Sequence, residues 1–197
     1  MKPNEELISR FLESIQSTVK SGNEEGFDIF KRNGLLYPGK TYYGKGTSIQ
    51  KPDKVKFYAE FHTHTFLWLG KDIQRKTGSF PPIDIIRVTA KMFINSCNEK
   101  IGTRGINSLN TPSFHDLLCT ISLKYQRKSS GIIYIGNDVD TDFVECWSLK
   151  KHIPHKYYHK AKKSLTEKTD DTSEAIPQWV YNLFDKEEII LTKPLNT

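Results

Sequence analysis

The feature that most constrains the fold is a change in the spacing of apolar residues along the first third of the chain. From about Asn4 to Lys20, apolar residues recur every three or four positions, as on one face of an amphipathic helix. Ser21-Gly22-Asn23 ends this pattern, and strand-like segments follow at 24–32, 40–49 and 55–65. Turn residues at Asn33-Gly34 and Lys51-Pro52-Asp53 separate them. The sequence therefore predicts a meander of antiparallel strands after the first helix.

Helical and strand-like segments alternate again further along the chain. Pro81-Pro82 opens a predicted helix over 83–98, and the glycine- and asparagine-rich segment 101–110 is predicted to be a loop. Pro112-Ser113 starts a second helix that ends near Tyr125, and two strands are predicted after it, at 131–136 and 142–149. The order of helix, strands, helix and strands predicts an α+β fold, with helices packed on one central sheet.

Length and composition indicate one domain with a tail. A chain of 197 residues is long enough for a real core and too short for two full-sized domains. We therefore predict one domain over 1–150 and a basic, polar C-terminal extension over 151–197. Within the extension, 164–177 is predicted to be a flexible connection. Trp179, Val180, Leu183 and Phe184 are predicted to form a short docking helix.

The N-terminus does not have the basic and then apolar profile of a secretory signal, because Glu5, Glu6 and Glu13 lie among its apolar residues. No segment approaches the roughly twenty apolar residues that cross a membrane. The three cysteines are odd in number and far apart, which argues against a disulfide framework and against a CxxC metal site. These features predict an intracellular, cytoplasmic protein without a membrane partner.

The net charge of +6 includes one dense basic cluster, from Lys150 to Lys163. Such a cluster suits an anionic partner such as nucleic acid. A charge run is more often a solvated face, so nucleic-acid binding is an alternative prediction rather than the leading one.

Two histidines at the end of a strand-like segment, His62 and His64, are candidate metal ligands. Alternate side chains of a strand share a face, so both imidazoles project the same way and can bind one metal ion. Asp116, one turn inside the second predicted helix, can complete a His₂Asp site whose fourth position stays open, as in catalytic zinc sites. Ser113 and Asp116 also match a helix capping box, which is a purely structural alternative.

A hydrolytic site of this kind also needs a general base, and several carboxylates are candidates for it. Glu24 lies at the start of the first strand, next to Glu25, while Glu60 shares a strand face with the two histidines. Asp72 is closer to His64 in sequence than Asp116 is, but it lacks a preceding serine and a following helix. Glu24 is the preferred base, and Glu25 and Glu60 remain alternatives.

Together, Glu24, His62-Thr63-His64 and Ser113-Phe114-His115-Asp116 resemble the JAMM motif of the MPN-plus (JAB-domain) zinc metalloproteases. In that motif a glutamate on an early strand precedes His-x-His at a strand end and Ser-x-x-Asp on the next helix. The resemblance covers about 7–149. It departs from the family at Thr65, where proline is usual, and in the long insert 66–111, where a short loop is usual.

The resemblance implies an MPN/JAB-like mixed β-sheet flanked by helices, with cytidine-deaminase-like layering and the insert 66–111 beside the cleft. It implies a zinc hydrolase that cleaves peptide or isopeptide bonds in protein substrates, including ubiquitin or ubiquitin-like conjugates. His62, His64 and Asp116 would hold Zn²⁺, Glu24 would be the general base, and Ser113 would help to hold the carbonyl oxyanion. A catalytically silent MPN-like scaffold is the alternative from another functional class.

Overall fold

The computed structural model describes residues 3–44, 56–99, 109–167 and 176–191, and in this part of the chain six strands form one mixed sheet flanked by helices. The strands are β1 (Glu25–Arg32), β2 (Leu35–Tyr43), β3 (Ala59–His64), β4 (Ile132–Asn137), β5 (Phe143–Leu149) and β6 (Phe184–Ile190). Their order is β2-β1-β3-β4-β5-β6, and only β3 and β4 are parallel neighbours. The protein is thus α+β, as predicted.

The helices are α1 (Glu5–Ser21), α2 (Leu67–Thr77), α3 (Ile83–Glu99), α4 (Phe114–Tyr125), α5 (His155–Glu167) and α6 (Gln178–Tyr181). None of these helices is long and apolar enough to cross a membrane.

Helix α1 covers one face of the sheet, and its local sequence explains both of its ends. The Asn4 side chain accepts a hydrogen bond from the Leu7 amide at 3.0 Å, and Gly22 ends the helix with a φ of +69°. Leu7, Phe11 and Ile15 at the centre of the predicted apolar stripe are buried. Phe11 packs on Phe61 and Tyr134 with ring centroids 4.7 and 5.3 Å apart. The prediction of this helix is confirmed.

The first hairpin turns at Asn33-Gly34, as predicted, with positive φ at both residues. Strand β2 then starts at Leu35 rather than at residue 40. The sequence did not predict this start, because Pro38 and Gly39 are residue types that are uncommon in strands. Strand β2 is an edge strand, where proline is tolerated. The predicted meander is wrong, because β3 pairs with β1 and not with β2. The predicted turn at 51–53, and 45–49 of the predicted strand, lie outside the described residues.

The parallel pairing of β3 with β4 requires a long crossover, which passes through α2, α3 and α4. Helices α3 and α4 agree with the two predicted helices, whereas α2 was not predicted. A small core joins α2 and α3 to the turn after β4, and it includes Leu69, Ile86, Ala90, Leu109 and Val139. Most of the predicted loop 101–110 lies outside the described residues.

Helices α4, α5 and α6 cover the opposite face of the sheet, around a core that includes Leu117, Ile121, Ile135, Trp147, Ala161 and Val180. The predicted docking helix is only the single turn α6. Leu183 and Phe184 lead instead into β6, which pairs antiparallel with β5 and extends the sheet. The segment after residue 150 therefore supplies an edge strand and a packed helix. The predicted flexible connection is wrong over 164–167, which form the end of α5, and its residues 168–175 lie outside the described residues.

Candidate metal centre

Strand β3 places His62 and His64 on the sheet face that α4 covers. The strand lies between β1 and β4, so both of its edges are hydrogen-bonded. The alternate residues Phe61 and Thr63 face α1, where the Thr63 hydroxyl lies 2.7 Å from that of Thr18. The pleat of a well-anchored strand therefore presents both imidazoles on one side, as the His-x-His pattern predicts.

Asp116 is held at the N-terminus of α4 by a reciprocal capping box with Ser113. The Ser113 hydroxyl oxygen accepts a hydrogen bond from the Asp116 amide at 3.2 Å. Asp116 Oδ2 in turn accepts from the Ser113 amide at 2.7 Å and from the Ser113 hydroxyl at 2.6 Å. The prediction that Ser113 and Asp116 form a helix capping box is therefore confirmed. The same contacts fix the direction in which the carboxylate points, and it points at the histidines.

Three side-chain atoms from β3 and α4 converge at this point. His62 Nε2 and His64 Nε2 are 3.2 Å apart, and Asp116 Oδ2 lies 3.5 Å from the first and 3.3 Å from the second. In the described part of the chain, these residues are the group of histidine, cysteine and acidic side chains whose geometry suits a metal ion.

The triangle of donor atoms fits a zinc ion. Tetrahedral coordination with metal–ligand distances of about 2.0–2.1 Å places ligand atoms about 3.3–3.4 Å from one another. The three observed separations of 3.2, 3.3 and 3.5 Å match one face of such a tetrahedron. Two imidazoles and one carboxylate are also a donor set that zinc hydrolases use. The residues present therefore fit Zn²⁺.

The electrostatics of the cluster favour a bound cation. Burial opposes a charge on His62, but the Asp116 carboxylate and then Glu60 outweigh burial and raise the pKa of His62 to about 10. Burial likewise opposes a charge on Asp116, yet the two histidines hold the pKa of this carboxyl well below its usual value. The proton that the raised pKa keeps on His62, beside the Asp116 carboxylate, thus occupies the electrostatic position that a metal ion would take.

Glu24 is the acidic residue at the start of β1 that faces this cluster. Its side chain is 6% exposed, and the Thr65 amide donates a hydrogen bond to its carboxylate. Burial raises the pKa of the Glu24 carboxyl, although His64 and His62 act in the opposite direction.

The two alternative bases occupy different positions. Glu25 lies on the other face of the sheet, where it accepts a hydrogen bond from Ser17 of α1. Glu60 lies behind the cluster, with Oε1 3.5 Å from Nδ1 of His62, on the side of the ring away from Asp116. Glu24 interacts electrostatically with all three members of the donor triangle, His64, His62 and Asp116.

Gly26 is a site residue that sequence reasoning missed. It pairs with His62 across β1 and β3. A Cβ atom at this position would lie 2.6 Å from the Tyr42 ring, 2.8 Å from the Phe61 carbonyl oxygen and 3.0 Å from the Cβ of His62. The glycine therefore leaves the space in which His62 sits. No local sequence pattern marks Gly26, because the requirement for glycine arises from the pairing of β1 with β3, which are distant in the sequence.

Asp138 is a second residue that was missed. Its carboxylate accepts hydrogen bonds from the Phe66 amide at 2.7 Å and the Leu67 amide at 3.3 Å, so it caps α2 from another part of the chain. Its own amide donates to the His64 carbonyl oxygen at 3.3 Å. Burial raises the pKa of Asp138 to about 6. Asp138 thus ties the end of β3 to the start of the insert 66–111.

Other acidic and histidine residues lie away from the cluster. Asp72 is on α2 and pairs with Arg75. His115 is exposed on α4, and its ring nitrogen is 3.4 Å from the Cys119 sulfur. His155 and His159 are on the exposed side of α5.

Comparison with known proteins does not decide the assignment. No family model, no curated protein and no solved structure matches this chain. The geometry and chemistry of the cluster are therefore what indicate its function.

Proposed function

We propose that this protein is a zinc-dependent hydrolase of the JAMM type, built on an MPN/JAB-like sheet, that cleaves peptide or isopeptide bonds. The observation that carries the proposal is the convergence of His62, His64 and Asp116 into one face of a tetrahedron, with Glu24 beside it. These residues come from three separate segments of the chain. The packing of β3 and α4 brings His62, His64 and Asp116 together, which supports the proposal.

Bound zinc would supply Lewis-acid polarisation of the scissile carbonyl and would lower the pKa of a bound water. Glu24 takes a proton from the attacking water and returns it to the departing nitrogen. A carboxylate whose pKa is raised by burial is suited to both steps, because it binds a proton more readily near neutral pH than an exposed glutamate does.

Ser113 has two roles in this proposal. Its amide and hydroxyl orient Asp116 in the structure described above. Its hydroxyl would have to rotate away from Asp116 to donate a hydrogen bond to the carbonyl oxyanion. Protein substrates, including conjugates of ubiquitin or ubiquitin-like modifiers, follow from the resemblance to the family, and helices α2 and α3 lie beside the end of β3, where they can limit access.

Two measurements test the proposal. Elemental analysis should find one equivalent of zinc in the purified protein and none in His62→Ala. Glu24→Gln should keep the zinc and lose roughly a hundred- to ten-thousandfold in the hydrolysis of diglycine-linked peptides or ubiquitin-like conjugates. Glu25→Gln is the matched control, since it makes the same chemical change at the adjacent residue on the opposite sheet face and should stay active.

Different failures have different meanings. A protein that binds no zinc under any condition contradicts the metal centre itself. A protein that binds zinc through His62 but cleaves none of these substrates would instead be the catalytically silent scaffold. If Glu24→Gln is active and Glu60→Gln is inactive even when it is fully loaded with zinc, the base has been assigned to the wrong carboxylate.

A further inference from the structure

The exposed side of α5 carries a dense group of basic residues that the metal centre does not use. Its exposed residues are His155, Lys156, His159, Lys160, Lys162 and Lys163. No aspartate or glutamate occurs from Lys150 to Thr166. Helix α4, on which α5 packs, has its acidic residue Asp116 at its far end. Asp185 of β6 lies 3.8 Å from Lys150, at the edge of this surface.

Aromatic pairs flank these cations on two sides. Tyr125 at the end of α4 stacks on Tyr158, with ring centroids 3.8 Å apart and planes inclined by 10°, and Tyr125 is 41% exposed. On the other side Tyr157 stacks on Trp179, with centroids 5.7 Å apart. Lys160 lies over the Trp179 ring at 4.4 Å. We call the exposed residues of α5, with Tyr125 and Trp179, the basic aromatic surface.

We propose that the basic aromatic surface binds single-stranded nucleic acid. Lysines attract the phosphate backbone, and an exposed ring such as that of Tyr125 can stack on unpaired bases without regard to sequence. Base pairs in a duplex are already stacked on one another, so a surface that offers ring faces favours a single strand. The net charge of +6 acts in the same direction.

An anionic membrane is a weaker match to the same charges. A helix that lies on a membrane inserts an apolar face between lipids. The apolar face of α5, which includes Tyr157, Ala161 and Leu165, instead packs into the protein core. The exposed side offers lysine, histidine and tyrosine rather than leucine or phenylalanine.

The surface is also separate from the metal centre. Asp116 is in the first turn of α4 and Tyr125 is its last residue. At 1.5 Å per residue, these two positions lie roughly 13 Å apart along the helix axis. Binding at this surface therefore does not require the zinc ligands, and His62→Ala should bind nucleic acid as the wild type does.

Fluorescence anisotropy with a labelled oligodeoxythymidylate of roughly fifteen nucleotides tests the proposal. The double variant Lys156→Gln/Lys162→Gln should bind more weakly, and the slope of log affinity against log salt should fall by about 1.4, since each contact with a single strand contributes about 0.7. Lys71→Gln/Lys76→Gln on α2 removes the same charge elsewhere and should leave the affinity near that of the wild type. Tyr125→Leu keeps apolar bulk without a ring and should weaken binding roughly five- to hundredfold.

Three results would overturn the proposal. One is equal loss of affinity in the α5 and α2 lysine variants, which would indicate an unspecific charge effect. Another is a duplex of the same length that binds as tightly as the single strand, with Tyr125→Leu unaffected. The third is binding to phosphatidylserine vesicles, lost in Lys156→Gln/Lys162→Gln, without binding to the oligonucleotide. If the Tyr125 variant is less stable, the lysine pair decides the outcome by itself.

Discussion

Replacement of Gly26 by alanine should lower both the stability of the fold and the affinity for zinc. The absence of a side chain at residue 26 leaves space for the pairing of β1 with β3 and for His62. Of the three contacts that the new Cβ would make, the one at 2.8 Å to the Phe61 carbonyl oxygen is the hardest to relieve. That oxygen belongs to the backbone of β3 and cannot move without disturbing the pairing of β1 with β3. The Tyr42 ring, at 2.6 Å, can turn away more easily.

The expected loss of stability follows from these contacts. Overpacking of this kind typically costs about 1–3 kcal/mol. Compared with glycine, alanine lowers the entropy of the unfolded chain, which offsets about 0.5–1 kcal/mol of this cost. We therefore expect Gly26→Ala to lower the free energy of unfolding by about 1–2 kcal/mol. With a urea m value near 2 kcal/mol/M, the midpoint of unfolding should fall by about 0.5–1 M.

The second effect is on metal binding. The contact of 3.0 Å with the Cβ of His62 requires that side chain to shift by a few tenths of an ångström, which moves Nε2 out of the donor triangle. We expect zinc affinity to fall by about tenfold or more, as is usual when the support of a metal ligand is disturbed. Competition with a chromophoric chelator measures this loss, and urea denaturation of the metal-free protein measures the stability.

Gly39→Ala is the matched control. Its Cβ would lie 2.7 Å from the Phe30 ring and 2.8 Å from the Asp28 carbonyl oxygen, so the clash is of the same kind in the same sheet. It does not touch a histidine, and it should lower stability while leaving zinc affinity unchanged. If Gly26→Ala matches the wild type in both measurements, or if both glycine variants lose zinc equally, the inferred contact between Gly26 and His62 is wrong.

Further expectations concern the residues around the donor triangle. Glu60→Gln should weaken zinc binding by roughly ten- to a hundredfold, because Glu60 orients the His62 ring through Nδ1; unchanged affinity would show that the ring is held by packing alone. Ser113→Ala should cost about 1 kcal/mol of stability by loss of the helix cap and should also weaken zinc binding, whereas Ser113→Thr should largely restore both. The raised pKa of His62, about 10, means that the metal-free protein holds a proton there from below pH 6.5 up to about pH 10. Calorimetry at pH 7.5 in two buffers of different ionisation enthalpy should therefore show release of about one proton per zinc bound, and zero release would contradict the raised pKa of His62. For the same reason, the stability that this proton confers on the metal-free protein is complete below pH 6.5 and is lost as the pH rises toward 10.

Local signals predicted those parts of the fold that depend on neighbouring residues. The spacing of apolar residues predicted α1, and Asn33-Gly34 predicted the first hairpin turn. The capping residues Ser113 and Asp116 predicted the start of α4. The alternation of a strand was enough to place His62 and His64 on one face. The convergence of Asp116 with them depends on tertiary packing, and the sequence motif anticipated it only through its resemblance to a family.

Long-range contacts account for what was missed. Helix α2 has no side-chain cap of its own, because Asp138 supplies the cap from 72 residues away. Strand β6 carries four exposed charged residues in succession, from Asp185 to Glu188, which is unlike the alternation of a half-buried strand. An edge strand can be this polar, since charges there discourage pairing with other molecules. The pairing of β1 with β3 likewise has no signature within either segment.

The position of both histidines on one short interior strand has a consequence for how the chain finds its native pairing. A slip of β3 by one residue would turn His62, His64 and Glu60 toward α1 and would expel Phe61 from its aromatic neighbours. An ion that requires both imidazoles and Asp116 can bind only when that register is correct. Metal binding would therefore favour the correct alignment of β3 during folding. Each bound ion stabilises a correctly aligned molecule and so shifts the equilibrium away from misaligned ones.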